Sequence, residues 1–375
     1  MKLIVVTSGG MFPFSESGPA ITLYALLLGL SERGHEAEVF LSGSRIHGVK
    51  RLRNANISII CHSDTDRPFF SNLRTMKKAL EEFIREVRHA DIVMFNTPPV
   101  DPAILPYSFL SKCFRKKQVS FCRGGLLNED VNTMTRHIFH SMANAKVFDR
   151  IYISLSYLQH YCGEIIGPED LFEVVPNCII TRQYLRKSDV KLLKGDPSIL
   201  YAGNLIWLKR VDVLLKAFSL LPHCYANARL YIAGTGELHV QLSRLAEELQ
   251  ISHKVIFLGR VPHKVLVELF QSADIFVLPS IHECMSISLL EAMASGCAAV
   301  TTPGGGVELV RNRENGLIFT RGDCESLKEA LVLLIKDLTL RCNLAKKGSL
   351  SVLEKCDYKV VAAKMERSLQ SLVRK

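Results

Sequence analysis

One alternation runs the length of the chain and constrains it more than any other feature: short runs rich in β-branched residues are each followed by a helix-length amphipathic segment. Parallel strands need such crossovers, and strands covered on both faces read as near-continuous apolar runs. The pattern predicts an α/β fold. In the first half it places strands at Lys2–Thr7, Glu36–Leu41, Ile57–Cys61, Ile92–Phe95, Gln118–Phe121, Arg150–Ser154 and Glu173–Val175. Helices are predicted over Pro19–Arg33, Pro68–His89 and Val131–Lys146, where apolar residues recur at three- and four-residue steps. The second half repeats the pattern, with strands at Ile199–Ala202, Arg229–Ala233, Val255–Leu258, Ile275–Leu278, Ala299–Thr301 and Leu317–Phe319. Helices are predicted there over Val211–Leu220, Leu238–Leu249, Lys264–Gln271, Ile287–Ala294 and Cys324–Ile335.

At 375 residues the chain is too long for one core, since single cores stop growing near about 250–300 residues. Two tandem Rossmann-like domains are expected, over 1–180 and 198–357. The polar, basic stretch 181–197, with Arg182, Arg186, Lys187, Lys191 and Lys194, reads as their linker, and 358–375 as a C-terminal helix. In open α/β sheets ligands bind beyond the carboxyl ends of the strands, so function is expected in strand-to-helix loops facing an interdomain cleft.

Several classes fall away. The longest apolar runs, such as Ile21–Leu30, are well short of the roughly 18–20 residues that span a bilayer. The opening run, Met1 to Thr7, has no cleavage site behind a longer apolar region, so it reads as a first strand, and a cytosolic protein is expected. The 11 cysteines are scattered without a C-x-x-C pair, which argues against a disulfide framework and a zinc knuckle. His137 and His140 form an H-x-x-H without a third ligand beside them and read as a helix-surface pair. No G-x-G-x-x-G and no G-x-x-x-x-G-K-[ST] is present, so nicotinamide cofactors and P-loop chemistry lose support. The net charge of +10 sits mainly in the second half, without an RNA-binding aromatic motif or a helix-turn-helix, and reads as solvated surface and not as a nucleic-acid site.

Three loops carry candidate chemistry. After the run Ile275–Leu278 come Glu283 and a helix opening near Ser286–Ser288 that holds Glu291. A helix N-terminus presents unpaired N–H groups and a positive dipole end, so it suits an anion, and the two carboxylates could grip hydroxyl groups on either side of it. On the plainer reading Glu283 caps the helix and Glu291 is a surface residue. The second loop, Gly203-Asn-Leu-Ile-Trp-Leu-Lys209-Arg210, could cradle phosphate oxygens, or its cations could be solvated. The third is Gly234-Thr-Gly236, where absent side chains would permit close approach of a ligand.

Taken in order, these loops resemble the retaining glycosyltransferases of the GT-B fold, specifically the group called family 4, or group 1. Gly203-Asn-Leu…Lys209 is similar to the family's G-R-L-x-x-x-K segment, and Ile232-Ala-Gly-Thr-Gly236 to its glycine turn. Val255–Pro262, with Arg260, is similar to the strand and turn that meet the nucleotide base. Glu283-x7-Glu291 is similar to the family's most specific motif, followed by Glu291-Ala-Met-Ala-Ser-Gly296 and Gly304-Gly-Gly-Val-Glu308. In the first half, Ser17-Gly18-Pro-Ala, Gly34-His35-Glu36 and Pro176-Asn177 match more loosely. Asn204 stands where the family usually has a phosphate-binding Arg, Cys178 where it has Gly, and Arg123 where many members have His.

The resemblance implies transfer of a sugar from a nucleoside diphosphate sugar to a hydroxyl acceptor with retention, without a metal or other cofactor. By the family's pattern Lys209, Arg210, Asn204 and the helix terminus at Ser286, Ser288 and Leu289 would meet the diphosphate, and Gly234 and Gly236 would lie close to the donor. Glu283, with the N–H groups of Met285 and Ser286, would hold sugar hydroxyls; Glu291 would hold the ribose and Arg260 would lie near the base. Arg123 and the Gly18 loop would face them from the other wall of the cleft, and the C-terminal helix would pack back on the first domain. The acceptor would be a glycan or lipid-linked glycan in cell-envelope polysaccharide synthesis. An epimerase of the same fold and a non-catalytic nucleotide-sugar-binding partner subunit are the alternatives. In the segment Pro68–His89 an apolar stripe is flanked by Arg74, Lys77, Lys78, Arg85 and Arg88, which suits either an ordinary core helix or one resting on an anionic membrane surface, peripheral to its inner face.

Overall fold

A computed structural model describes residues 1–8, 18–42, 48–51, 56–61, 73–97, 104–122, 141–142, 145–165, 167–185, 192–306 and 308–374. The chain divides into two compact units, Met1–Cys178 together with Tyr358–Lys375, and Ile179–Asp357.

The first unit is built on an eight-stranded sheet ordered β3-β4-β2-β1-β5-β6-β7-β8. Its strands are β1 (Lys2–Ser8), β2 (Glu36–Ser42), β3 (Gly48–Arg51), β4 (Ile57–Cys61), β5 (Ile92–Phe95), β6 (Lys117–Cys122), β7 (Arg150–Ile153) and β8 (Phe172–Val174). All neighbours are parallel except β3, which pairs antiparallel with β4 at the edge and was not foreseen from sequence. A four-residue edge strand of mixed polarity carries no periodic signal, and its partner supplies the pairing. The apolar run Leu3-Ile4-Val5 is wholly buried in β1, between β2 and β5.

Helix α1 (Gly18–Glu32) packs against the C-terminal helix, which the chain adds to this unit after completing the other. Gly29 makes that approach possible, since a Cβ there would lie 2.6 Å from Ala362 Cβ and 2.8 Å from the Tyr358 carbonyl. Arg33 and His35 both bond the Glu366 carboxylate, while Tyr152 and Arg150 reach Ser368 at 2.8 and 2.9 Å. Helix α2 (Leu73–Val87) turns its apolar stripe into the core: Phe83 and Val87 are wholly buried, and Phe83 meets Phe40 and Tyr107 edge-to-face. The predicted start of this helix at Pro68, and most of the helix predicted over Val131–Lys146, lie outside the described residues, as do His137 and His140. Two helices of this unit, α3 (Leu105–Cys113) and α4 (Ser156–Ile165), each between about two and three turns long, were not foreseen from sequence.

The second unit carries a six-stranded, all-parallel sheet ordered β11-β10-β9-β12-β13-β14. Its strands are β9 (Ser198–Ala202), β10 (Arg229–Ala233), β11 (Val255–Gly259), β12 (Ile275–Leu278), β13 (Ala298–Thr301) and β14 (Leu317–Ile318). The helices are α5 (Val211–Ser219), α6 (His239–Glu248), α7 (His263–Ser272), α8 (Ile287–Ala294), α9 (Cys324–Lys336) and α10 (Leu338–Cys356), and the C-terminal helix is α11 (Tyr358–Val373). From β9 the chain winds one way to β10 and β11, then returns to place β12 on the other side of β9. The strand order therefore reverses between β9 and β12, and the loops leaving these two strands emerge side by side at their carboxyl ends.

The stretch expected as a linker, 181–197, is part of the second unit, which begins at Ile179. Thr181 donates to Asp357 Oδ2 at 2.5 Å, and Tyr184 is buried to 1% exposure. The basic residues made this stretch look solvated, but one aromatic side chain anchors it. The thiols are less uniformly buried than a set of structural cysteines: Cys122, Cys162, Cys178, Cys297 and Cys356 are buried, whereas Cys113, Cys224 and Cys342 are exposed. Among the described residues no helix is long and apolar enough to cross a membrane.

Candidate functional site

The loop after β9 is held from below and from the side. Tyr201 is buried in the strand and donates its hydroxyl to the Asn204 carbonyl at 2.9 Å, while Gly203 donates its N–H to Ala233 at the end of β10 and Leu205 to Thr235 of the loop after it. Both of these inter-loop bonds run from backbone to backbone. A Cβ on Gly234 would stand 1.9 Å from the Gly203 carbonyl oxygen, and one on Gly236 would stand 2.3 Å from that of Leu205. The side-chain direction of both glycines is therefore filled by the neighbouring loop, so Gly234 (φ +145°) and Gly236 have a packing role in bringing the two loops together.

Trp207–Lys209 form a 3-10 turn that Arg210 ends in the left-handed conformation, with φ 47° and ψ 42°, immediately before α5. This reversal sends the two adjacent cations to different partners. Arg210 Nε and Nη2 donate to the two carboxylate oxygens of Asp212 at 3.0 and 3.1 Å. That pair holds the Asp212 carboxyl below its usual range: burial opposes the shift, but the Arg210 hydrogen bonds outweigh it. Arg210 is thus engaged by a carboxylate of its own helix, beside a cavity of about 470 Å³ that Trp207, Leu242 and Ile281 also line. Lys209 turns to Glu283.

The loop after β12 brings Glu283 to that lysine. Ile281 N–H donates to the Leu208 carbonyl at 2.9 Å, joining the two loops, and Glu283 N–H donates to the Gly304 carbonyl at 2.8 Å. Gly304 must be glycine for this, because a Cβ there would sit 2.2 Å from the Ile281 carbonyl oxygen. Lys209 Nζ donates to Glu283 Oε1, with the side chains 21% and 13% exposed. Ser286 caps α8 by accepting from Leu289 N–H at 3.4 Å, and its hydroxyl meets that of Ser288 at 3.0 Å. The cap is therefore Ser286 and not Glu283, and the Leu289 N–H is already taken. Just before the cap, Met285 holds φ at 146°, a region that a residue with a side chain rarely adopts, so strain is stored at this turn.

Glu291, one turn into α8, is 3% exposed and is no surface residue. Its Oε1 accepts from the Tyr184 hydroxyl at 2.7 Å and from His263 Nε2 at 2.8 Å. Burial, reinforced by the carboxylate, pushes the Tyr184 phenol far above its ordinary range, so it remains a donor. Sequence reasoning missed both partners. Tyr184 lay in the supposed linker and His263 in a turn, and nothing local links either to a carboxylate 107 or 28 residues away.

Of the remaining residues singled out, Asn204 and Arg260 are exposed and have no side-chain contact among those just described, and Gly18 opens α1 in the first unit. Arg123 lies outside the described residues. Among the described residues no group of three or more His, Cys, Asp or Glu side chains could hold a metal ion. The arrangement offers an ammonium group, the first N–H groups of α8 and two carboxylates at the point where the sheet order reverses. Such a set can meet an anion on one side and hydroxyl groups on the other.

Comparison with known proteins bears on this arrangement. Residues 185–350 match the family model described as glycosyl transferases group 1. An uncharacterized glycosyltransferase of Methanocaldococcus jannaschii is 28% identical over 96% of both chains. A GDP-mannose-dependent monoacylated alpha-(1-6)-phosphatidylinositol monomannoside mannosyltransferase of Corynebacterium glutamicum is 28% identical over 79% of this chain and 80% of its own. Among solved structures, sucrose-phosphate synthase from Thermosynechococcus elongatus superposes with a TM-score of 0.82 at 17% identity, covering 99% of both chains. HepE of Anabaena in complex with UDP and glucose gives 0.78 at 18% identity, covering 98% of this chain and 99% of its own. At such identities these two likenesses establish the fold.

Proposed function

Because the chain is a group 1 glycosyltransferase of the GT-B fold, we propose that it moves a sugar from a nucleoside diphosphate sugar to a hydroxyl acceptor with retention of anomeric configuration and without a divalent ion. The observation that carries the reading is the ion pair Lys209–Glu283 beside the capped N-terminus of α8. Departure of a diphosphate leaves negative charge on phosphate oxygens and positive character at the sugar carbon. A preorganised cation and helix N–H groups lower the energy of the first, and this work requires no metal. Glu283 then exchanges its bond to Lys209 for sugar hydroxyls as the phosphate takes up the lysine. Glu291 accepts from the ribose. The described residues include no covalent nucleophile assigned to this step, and in the same-face mechanism the departing phosphate oxygen takes the acceptor's proton.

The acceptor is proposed to be a glycan or lipid-linked glycan of cell-envelope polysaccharide synthesis, in keeping with the lipid-linked and lipopolysaccharide acceptors named for several relatives. A cytoplasmic protein resting at times on the inner face of a membrane suits such a substrate. With its stripe in the core, α2 leaves Lys77 and Arg85 exposed, as is Arg88 just after it. The test is an incubation with panels of UDP- and GDP-sugars and glycan acceptors, read by NMR for the anomeric configuration of the product. A retained anomer, formed in the presence of EDTA, supports the proposal; an inverted one, or donor epimerised without acceptor, overturns it. Nucleotide binding without any transfer would assign the partner-subunit role instead.

A further inference from the structure

Glu291 is fixed by two side chains that come from outside its own helix. Tyr184 lies ahead of β9 and His263 opens α7, and their rings meet edge-to-face with centroids 6.3 Å apart. Both donors converge on one oxygen, Oε1, at 2.7 and 2.8 Å. A hydrogen on His263 Nε2 is what lets the ring donate there, a tautomer assigned from the contact. The Tyr184 hydroxyl and His263 Nε2 are themselves 3.2 Å apart, so the three polar atoms form a closed triangle. Oε2 has no hydrogen-bond partner among the described residues.

A carboxylate buried to 3% exposure would ordinarily be turned toward whatever donors its surroundings offer. Here the donors all act on one oxygen, which fixes the rotamer and leaves the second oxygen for a ligand. The phenol keeps its proton and stays a donor, since burial and the neighbouring carboxylate hold it far above its ordinary range.

We infer that Tyr184 and His263 are positioning residues that aim Glu291 Oε2 at the ribose hydroxyls of the bound nucleotide. The inference rests on the reading of Glu291 as the ribose-binding carboxylate, proposed above, and adds the two residues that make it specific. Neither touches the sugar or phosphates in this account. Removing either should leave the phosphate affinity in place and weaken only the part of binding that depends on ribose hydroxyls.

The test separates these parts. Isothermal titration with UDP and GDP identifies the nucleotide that binds, and its 2′,3′-dideoxy form measures how much affinity the ribose hydroxyls add. In the wild type the dideoxy form should bind about tenfold or more weakly, the size of one charge-assisted hydrogen bond. Glu291→Ala should bring the two affinities together. Tyr184→Phe, which removes a single atom, and His263→Ala should each shrink the ratio at least threefold while the affinity for the dideoxy form stays within twofold of wild type. His263→Gln, which retains an N–H donor, should recover part of the ratio. If Glu291→Ala keeps the full ratio, or the wild type shows none, the ribose reading fails and the inference falls with it. If Glu291→Ala abolishes the ratio but Tyr184→Phe and His263→Ala keep it, the inference alone is wrong. Equal weakening toward both nucleotides in Tyr184→Phe would mark a general structural role and also overturn it.

Discussion

Lys209 and Glu283, 74 residues apart in the chain, form an ion pair between the loops that leave β9 and β12. The pair follows from the strand order. Because β12 is laid down next to β9, the two loops meet, and the Ile281–Leu208 backbone bond fixes their register. Substituting either residue should strip the site of its cation or of its sugar-binding carboxylate. Lys209→Ala and Glu283→Gln are each expected to lower kcat/KM by about 10²–10³-fold, as for loss of one preorganised charge in a transition-state site. Steady-state kinetics with thermal melts of each variant check this, and an unchanged kcat/KM with an intact fold would sink the assignment.

Chelation should have no effect. If the phosphate charge is met by Lys209 and the α8 terminus, activity persists in EDTA and added Mn²⁺ or Mg²⁺ changes it little. Loss on chelation that either metal restores would contradict the proposal.

The glycine turns make a prediction about stability and not about binding. Ala at position 234 would meet the Gly203 carbonyl at 1.9 Å in a backbone conformation with φ +145°. Gly234→Ala should destabilise the second unit by about 3 kcal/mol or more, through overpacking and backbone strain together. Denaturant unfolding followed by the fluorescence of Trp207, the one tryptophan, reads this unit directly. A loss below 1 kcal/mol would mean that the loops can separate freely.

The first unit should show an acid-dependent contribution from Glu366. Burial alone would raise that carboxyl, but the hydrogen bonds from Arg33 and His35 outweigh it and hold the group below its usual range. A carboxyl depressed in the folded state binds protons more readily when unfolded, so its contribution is present above the unfolded value, near about 4.3, and is lost as pH falls through the folded value. The stability difference between wild type and Glu366→Gln should accordingly be greatest at neutral pH and shrink below pH of about 4. A difference that grows on acidification would reverse the sign of this coupling.

Membrane attachment, if it brings the acceptor, should depend on the exposed basic flank of α2. The chain should co-sediment with vesicles containing anionic lipid but not with neutral ones, less so in high salt, and charge reversal at Lys77 and Lys78 should weaken it. Equal pelleting of the charge-reversed protein would leave α2 as a core helix only.

What could be read from the chain follows the range of the interactions involved. Alternation revealed the parallel strands of both sheets, because burial on two faces writes itself into such a strand as a continuous apolar run, as in Ile275-Phe276-Val277-Leu278. The edge strand β3 left no such trace, since its pairing is supplied by β4. At the site, the spacing of Lys209, Glu283 and Glu291 was legible through the family resemblance, but their partners were not. Arg210 looked as available as Lys209 until the left-handed turn between 3-10 segment and helix sent it to Asp212. At Gly234 and Gly236 nothing in the sequence signalled the packing role, which only the backbone of the neighbouring loop reveals. Tyr184 and His263 gave no sequence signal, because what makes them functional is convergence on one oxygen of a distant residue.

The central claim is that the loop after β9 and helix α8 bind a nucleoside diphosphate through Lys209 and Glu291. Thermal unfolding with UDP, GDP and ADP, in EDTA, tests it most directly. A ligand at about 100 times its dissociation constant adds roughly 2.7 kcal/mol, so one of the three should raise the Tm of the wild type by several degrees. This shift should be largely lost in Lys209→Ala and reduced in Glu291→Ala. No shift with any of the three nucleotides, or the same shift in both variants as in the wild type, would contradict it.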